Sequence, residues 1–184
     1  MGSEHLGMFD FYYLGPSDEI NTWELPEGYS SILWRPKGLQ MVPKGVRFWP
    51  SVMWWLFHRL HIFHNTDYSM VLIYRDRKLA HRSVIFPRFF RFPFMRQDDL
   101  QIGDTWTSPE HRGKGLAKFA LATAVRTLRR PTRGFWYIVH EKNIPSIRVV
   151  ESVGFRKVAR GRKVARFGLL YFGYYAIQQT LDDF

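Results

Sequence analysis

Thr107-Ser108-Pro109-Glu110-His111-Arg112-Gly113-Lys114-Gly115-Leu116-Ala117 contains a strand end, a basic glycine turn and a helix start in one stretch. Gly113 and Gly115 remove two Cβ atoms, so the chain can turn tightly and successive N–H groups can converge on an anion. The free amides of the first helical turn and the positive end of the helix dipole extend that pocket. Arg112 and Lys114 put two cations beside it. An ordinary surface loop before a helix can carry the same residues, so the flanking segments have to decide between the two.

Working outward, Leu100 to Thr107 reads as the strand before the turn and Gly115 to Leu128 as the helix after it. Leu116, Phe119, Ala120, Thr123, Ala124 and Val125 are candidates for the buried side of that helix, and Pro131 stops it. Trp136-Tyr137-Ile138-Val139 is a short apolar strand, and Asn143-Ile144-Pro145-Ser146 starts a helix over Ile147 to Val153 that closes on Gly154-Phe155.

Arg112-Gly113-Lys114-Gly115-Leu116-Ala117 followed by Asn143, Ser146 and Gly154-Phe155 at this spacing resembles the GNAT (GCN5-related N-acetyltransferase) family. The acetyl-CoA motif of that family is Gln or Arg, two residues, Gly, one residue, then Gly or Ala. The stretch from Ser146 to Glu151 is most similar to the branch with the ribosomal-protein alanine acetyltransferases and many antibiotic or sugar acetyltransferases. The resemblance runs from about Tyr68 to the C-terminus. It implies one α/β domain with a mixed, mainly antiparallel central sheet flanked by helices, whose fourth and fifth strands splay to admit the pantetheine arm. Those strands are Leu100 to Thr107 and Trp136 to His140. Backbone groups near Thr105, Trp106 and Thr107 would pair with the arm, and Arg112, Gly113, Lys114, Gly115, Leu116, Ala117, Asn143 and Ser146 would complete the donor site.

Acetyl transfer from a thioester to an amine needs a neutral nucleophile, a place for the oxyanion, and a proton or charge partner for the departing thiolate. Asp99 and Asp104, on or just before the fourth strand, are the candidate bases, with His140 and Glu141 at the end of the fifth. Solvated carboxylates at strand ends are the plain alternative. Many relatives carry a tyrosine acid in the helix before Gly-Phe. Val150 stands there in this chain; Ser146 falls where the resembled branch has a serine serving the thiol, so the resemblance implies it as the replacement acid, helix capping being the other reading for Ser146 and Asn143.

At 184 residues the chain has the size of one domain, read here as residues 1–7 a leader or disordered segment, 8–67 an acceptor-side region, and 68–184 the acetyl-CoA core. Within the acceptor-side region, Ser31 to Trp34 reads as a strand and Arg47 to Phe63 as a helix with Met53, Leu56, Phe57, Leu60 and Phe63 at helical spacing. Tyr68 to Tyr74 and Leu79 to Phe86 make a hairpin, and Phe155 to Ala159 and Phe167 to Ile177 close the chain around a basic turn, Arg160 to Lys163.

No Cys is present, which excludes disulfides, thiolate metal sites and a cysteine nucleophile and suits a cytoplasmic enzyme. His58, His61 and His64 share a helix side without a companion carboxylate, so no metal is expected. A net charge of +11 attracts anions. Acetyl-CoA and a small anionic, amine-bearing acceptor fit it, a nucleotide-linked or polysaccharide amino sugar foremost and a protein N-terminus or lysine next. A nucleic-acid-binding module and a non-catalytic acyl-CoA-binding protein are the competing classes, nucleic acid ranking behind the acceptor. A peripheral membrane contact and a homodimer stay open.

Overall fold

The computed structural model describes residues 7–38 and 40–181. The leader segment therefore lies outside the described residues except for Gly7. In chain order the elements are β1 (Phe9–Leu14), β2 (Tyr29–Trp34), α1 (Phe48–Arg59), β3 (Ser69–Arg75), β4 (Lys78–Pro87), β5 (Leu100–Thr107), α2 (Leu116–Leu128), β6 (Phe135–His140), α3 (Ile144–Val153), β7 (Arg156–Arg166) and β8 (Leu169–Thr180). The strands form one sheet in the order β2-β3-β4-β5-β6-β1-β7-β8, antiparallel except for the β5–β6 pair. Among the described residues no helix is long and apolar enough to cross a membrane.

Side chains alternate across each strand, so the sheet builds two cores. On one face Tyr12, Leu14, Val71, Ile73, Leu100, Ile102, Phe135 and Tyr137 pack with α2 and α3. On the other Phe11, Met70, Leu72, Val84, Phe86 and Trp136 pack with Trp54 of α1 and the loop aromatics Phe89 and Phe92. Each fully buried large apolar side chain contributes roughly 1.5–3 kcal/mol.

The divergence of β5 and β6 fixes where a ligand can enter. The two strands pair only at Leu100 with Phe135 and Gln101 with Trp136, and separate beyond them. Side chains clamp the closed end. Arg133, with no exposed surface, donates to Asp67 at 2.7 Å, to Asp98 at 2.6 Å and to the Leu128 carbonyl at 2.9 Å. Asp99 accepts from the amides of Arg96 at 3.0 Å and Gly134 at 2.9 Å and from Trp136 Nε1 at 2.9 Å. At the open end the β4–β5 register shifts between Arg82 opposite Trp106 and Val84 opposite Gly103, leaving Asp104 and Thr105 against Ser83 alone. Asp104 takes a left-handed φ of 42° in this bulge.

Several expectations need correction. β1, unread in the sequence, lies between β6 and β7 and pairs with both. Phe-Asp-Phe-Tyr-Tyr-Leu has large rings on both faces and so shows no alternation. Its one carboxylate, Asp10, is buried and held by Lys157 at 2.7 Å and Arg160 at 3.2 Å. α1 stops at Arg59 rather than Phe63, since His61 turns to a φ of 54°. Its buried members are Trp54 and Ser51, while Leu56 and Leu60 are 42% and 66% exposed. Arg160 to Lys163 is not a turn but part of β7; the chain reverses at Phe167-Gly168, both with positive φ. The earlier hairpin turns at Asp76-Arg77, with φ of 49° and 62°, the two left-handed positions that a tight two-residue hairpin requires.

Candidate active site

α2 begins at Gly115 with no side-chain cap, and Gly113 and Gly115 hold φ of 75° and 77°. A Cβ at either would meet no atom within 4 Å, so the glycines serve backbone shape and the open space above it, not packing. The turn lines a cleft of about 770 Å³ that continues into the gap between β5 and β6. Thr105, Trp106, Thr107, Arg112, Gly113, Lys114, Gly115, Leu116, Ala117, Asn143 and Ser146 all line it, so the structure brings together every residue the sequence assigned to the donor. Trp23, Glu24, His111, Lys118 and Tyr137 line it as well and were not foreseen. Trp23 and Lys118 come together across the mouth, the ammonium 4.2 Å from the indole centroid.

The polar groups of α3 divide their work. Asn143 Oδ1 accepts from the Ser146 amide at 3.3 Å and is the cap of the helix. The Ser146 side chain neighbours Tyr137. Tyr137 stands on β6 and is 5% exposed. Burial raises its pKa, while hydrogen bonds from the Thr105 and Ser146 side chains oppose that shift. Burial keeps the Tyr137 phenol protonated at neutral pH, and the residue lines the cleft.

Behind Thr105 the donors continue in series. Ser83 Oγ lies 3.3 Å from Thr105 Oγ1 and 2.9 Å from His81 Nε2, and His81 Nδ1 lies 2.7 Å from Thr107 Oγ1. Assigned from this network, the Nε2–H tautomer lets His81 donate to Ser83 and Ser83 to Thr105, whose side chain neighbours Tyr137. Burial, with Arg82 nearby, pushes the His81 pKa down to about 3.

Below its ordinary pKa near 6.5 the unfolded His81 takes up a proton that the folded one refuses until about pH 3. The stability supplied by neutral His81 is therefore complete above pH 7 and lost on acidification. We expect about 2 kcal/mol of unfolding free energy to disappear between pH 6.5 and 4.5 for this group. Urea titrations at both pH values check it: His81→Asn should shrink that difference, and an unchanged difference would refute the assignment.

The remaining candidates are dispersed. Asp99 is corrected from base to clamp, because it sits 1% exposed at the closed end of the gap with both oxygens used. Asp104 is at the open end, bound by Arg82 at 2.8 Å, and faces a second cleft under α1. His140 Nδ1 accepts from the Lys142 amide at 3.2 Å and lines neither cleft. Glu141 lines neither cleft either. Among the described residues no group of three His, Cys, Asp or Glu could hold a metal. Tyr137 was legible only in part. Alternation along β6 puts residues 135, 137 and 139 on the α2 face, but its hydroxyl partners come from other elements.

A profile of the Acetyltransferase (GNAT) family matches residues 29–155, reaching further toward the N-terminus than the motifs did. The chain belongs to this family. Its fold is similar to a GCN5-related N-acetyltransferase from Sphaerobacter thermophilus at 16% identity and a TM-score of 0.59, covering 84% of this chain and 50% of that one. A Drosophila protein aligns with a TM-score of 0.58 and 16% identity over 84% of this chain and 48% of that one. A tandem GNAT protein from the clavulanic acid biosynthesis pathway aligns with a TM-score of 0.55 and 18% identity over 84% and 51%. The chain thus spans about half the length of each of these structures. No curated protein matches the sequence.

Proposed function

We propose that this chain is an acetyl-CoA-dependent N-acetyltransferase acting on a primary amine, preferably of a nucleotide-linked or polysaccharide amino sugar. The carrying observation is one cleft that joins the uncapped glycine turn, the strand gap and the Tyr137 and Ser146 hydroxyls. The turn amides with Arg112 and Lys114 take the pyrophosphate of the donor. The exposed backbone of Thr105 to Thr107 holds the arm, which brings the thioester to Tyr137.

The amine attacks the acetyl carbon directly in a ternary complex. An N–C bond forms, the C–S bond breaks, and the ammonium proton leaves to Asp104, directly or through water. The departing thiolate accepts a hydrogen bond from Tyr137 and takes its proton from there or from solvent. Tyr137 takes the acid role in this reading, with Ser146, which lines the same cleft, as the alternative acid. The lack of cysteine suits a cytoplasmic place of action.

Calorimetric titration of the cofactor-free protein with acetyl-CoA, with ATP as the phosphate control, tests the donor. Selective saturable binding followed by acetylation of an amino sugar in an amine panel supports the reading. Equal response to ATP, or donor binding without turnover on any amine, overturns it.

A further inference from the structure

Asp104 and Thr105 are adjacent in the β5 bulge yet line different clefts, Thr105 the donor cleft and Asp104 a cleft of about 640 Å³ against α1. That second cleft has the size of a small-molecule site. Its cations are Arg47, Arg82, Arg91 and Lys163, and its one carboxylate is Asp104, which Arg82 binds at 2.8 Å. They come from the entry to α1, from β4, from the loop after it and from β7, so only the folded chain assembles them.

The cations are placed rather than merely crowded. The Arg91 guanidinium stacks 5.6 Å from the Trp54 centroid and 5.9 Å from that of Phe89. Stacking fixes the guanidinium plane. Arg82 Nε is buried with no hydrogen-bond partner among the described residues. Lys163 has its pKa lowered by burial and then by Arg91. Two like charges held together in a half-buried cleft are relieved by an anion between them. Trp49, 79% exposed, also lines the cleft and offers a flat face at its rim.

We propose that the cleft beneath α1 binds a multiply charged oxyanion, a phosphate or diphosphate group carried by the amine acceptor. The assignment of that group to an acceptor rests on the acetyltransferase reading above. Planar guanidinium forks match phosphate oxygens bidentately, and several cations suit a group with more than one negative charge. An acceptor held there reaches the β5 bulge from the side opposite the donor, with its amine beside Asp104.

Inorganic pyrophosphate is the probe, titrated by calorimetry and tryptophan fluorescence into protein saturated with acetyl-CoA, which occupies the glycine turn. Pyrophosphate should still bind at one site. Arg91→Gln and Lys163→Gln should each weaken it about tenfold or more without altering acetyl-CoA affinity. Pyrophosphate that binds only by displacing acetyl-CoA, or equally well to both variants, overturns the proposal. So does a single-stranded oligonucleotide whose Arg91-dependent affinity grows with length, since the cleft would then be part of a nucleic-acid track. If acetyl-CoA itself fails to bind while variant-sensitive pyrophosphate binding persists, the transferase reading falls and the anion site stands. The reverse pattern removes the anion site alone.

Discussion

Gly115→Val should lower acetyl-CoA affinity at least about a hundredfold while the far-UV spectrum of the protein stays in place. The residue opens α2 at a φ of 77°, where a β-branched side chain is strained by about 1–3 kcal/mol. No neighbour lies within 4 Å of the new Cβ, so the fold itself has room for it. The strain is relieved by rotating the peptides of the turn, which turns their N–H groups away from the pyrophosphate. Each charge-assisted hydrogen bond lost is worth about 1.5–3 kcal/mol, and two of them amount to a hundredfold or more. Calorimetry on the variant gives the answer. Unchanged affinity would remove the glycine turn from the donor site, and with it the main support for the proposed activity.

Tyr137→Phe should lower kcat by about a hundredfold to a thousandfold and leave the KM for acetyl-CoA nearly unchanged. The phenol is buried beside the Thr105 and Ser146 side chains and lines the donor cleft. A donor aimed at developing charge in a dry site contributes on this scale. Phenylalanine keeps the ring in the core of the α2 face, so folding should persist. A variant with full kcat would return the acid role to Ser146 or to solvent. Ser146→Ala should then be the more damaging change, whereas the geometry here makes it the milder of the two.

The order of elements was legible because its signals are local. β5 was read over its full length, Leu100–Thr107, and α2 to within one residue, because Gly115 and Pro131 mark its limits. The shape of the glycine turn from Arg112 to Ala117 was legible for the same reason. A turn built from consecutive residues has its geometry written in their φ preferences. β1 was not legible, since a strand buried on both faces carries rings on both and loses its period. α1 misled because Leu56, exposed within it, and Leu60, exposed just past its end, keep the same apolar spacing as its buried side. Asp99 misled because a carboxylate on a strand end looks alike in sequence whether it meets solvent or three N–H groups.

By itself the sequence determined the glycine turn and the strand–helix succession around it, and these carried the resemblance to the acetyltransferase family. Only the tertiary structure decided that an N-terminal strand enters the middle of the sheet, and that Asp99 and Arg133 clamp one end of the β5–β6 gap. It alone placed Tyr137 beside Thr105 and Ser146 on the donor cleft, and four cations around Asp104. The physical reason is separation along the chain: φ preferences and periodicity act over a few residues, whereas Ser83, Thr105, Tyr137 and Ser146 meet only where four elements pack together.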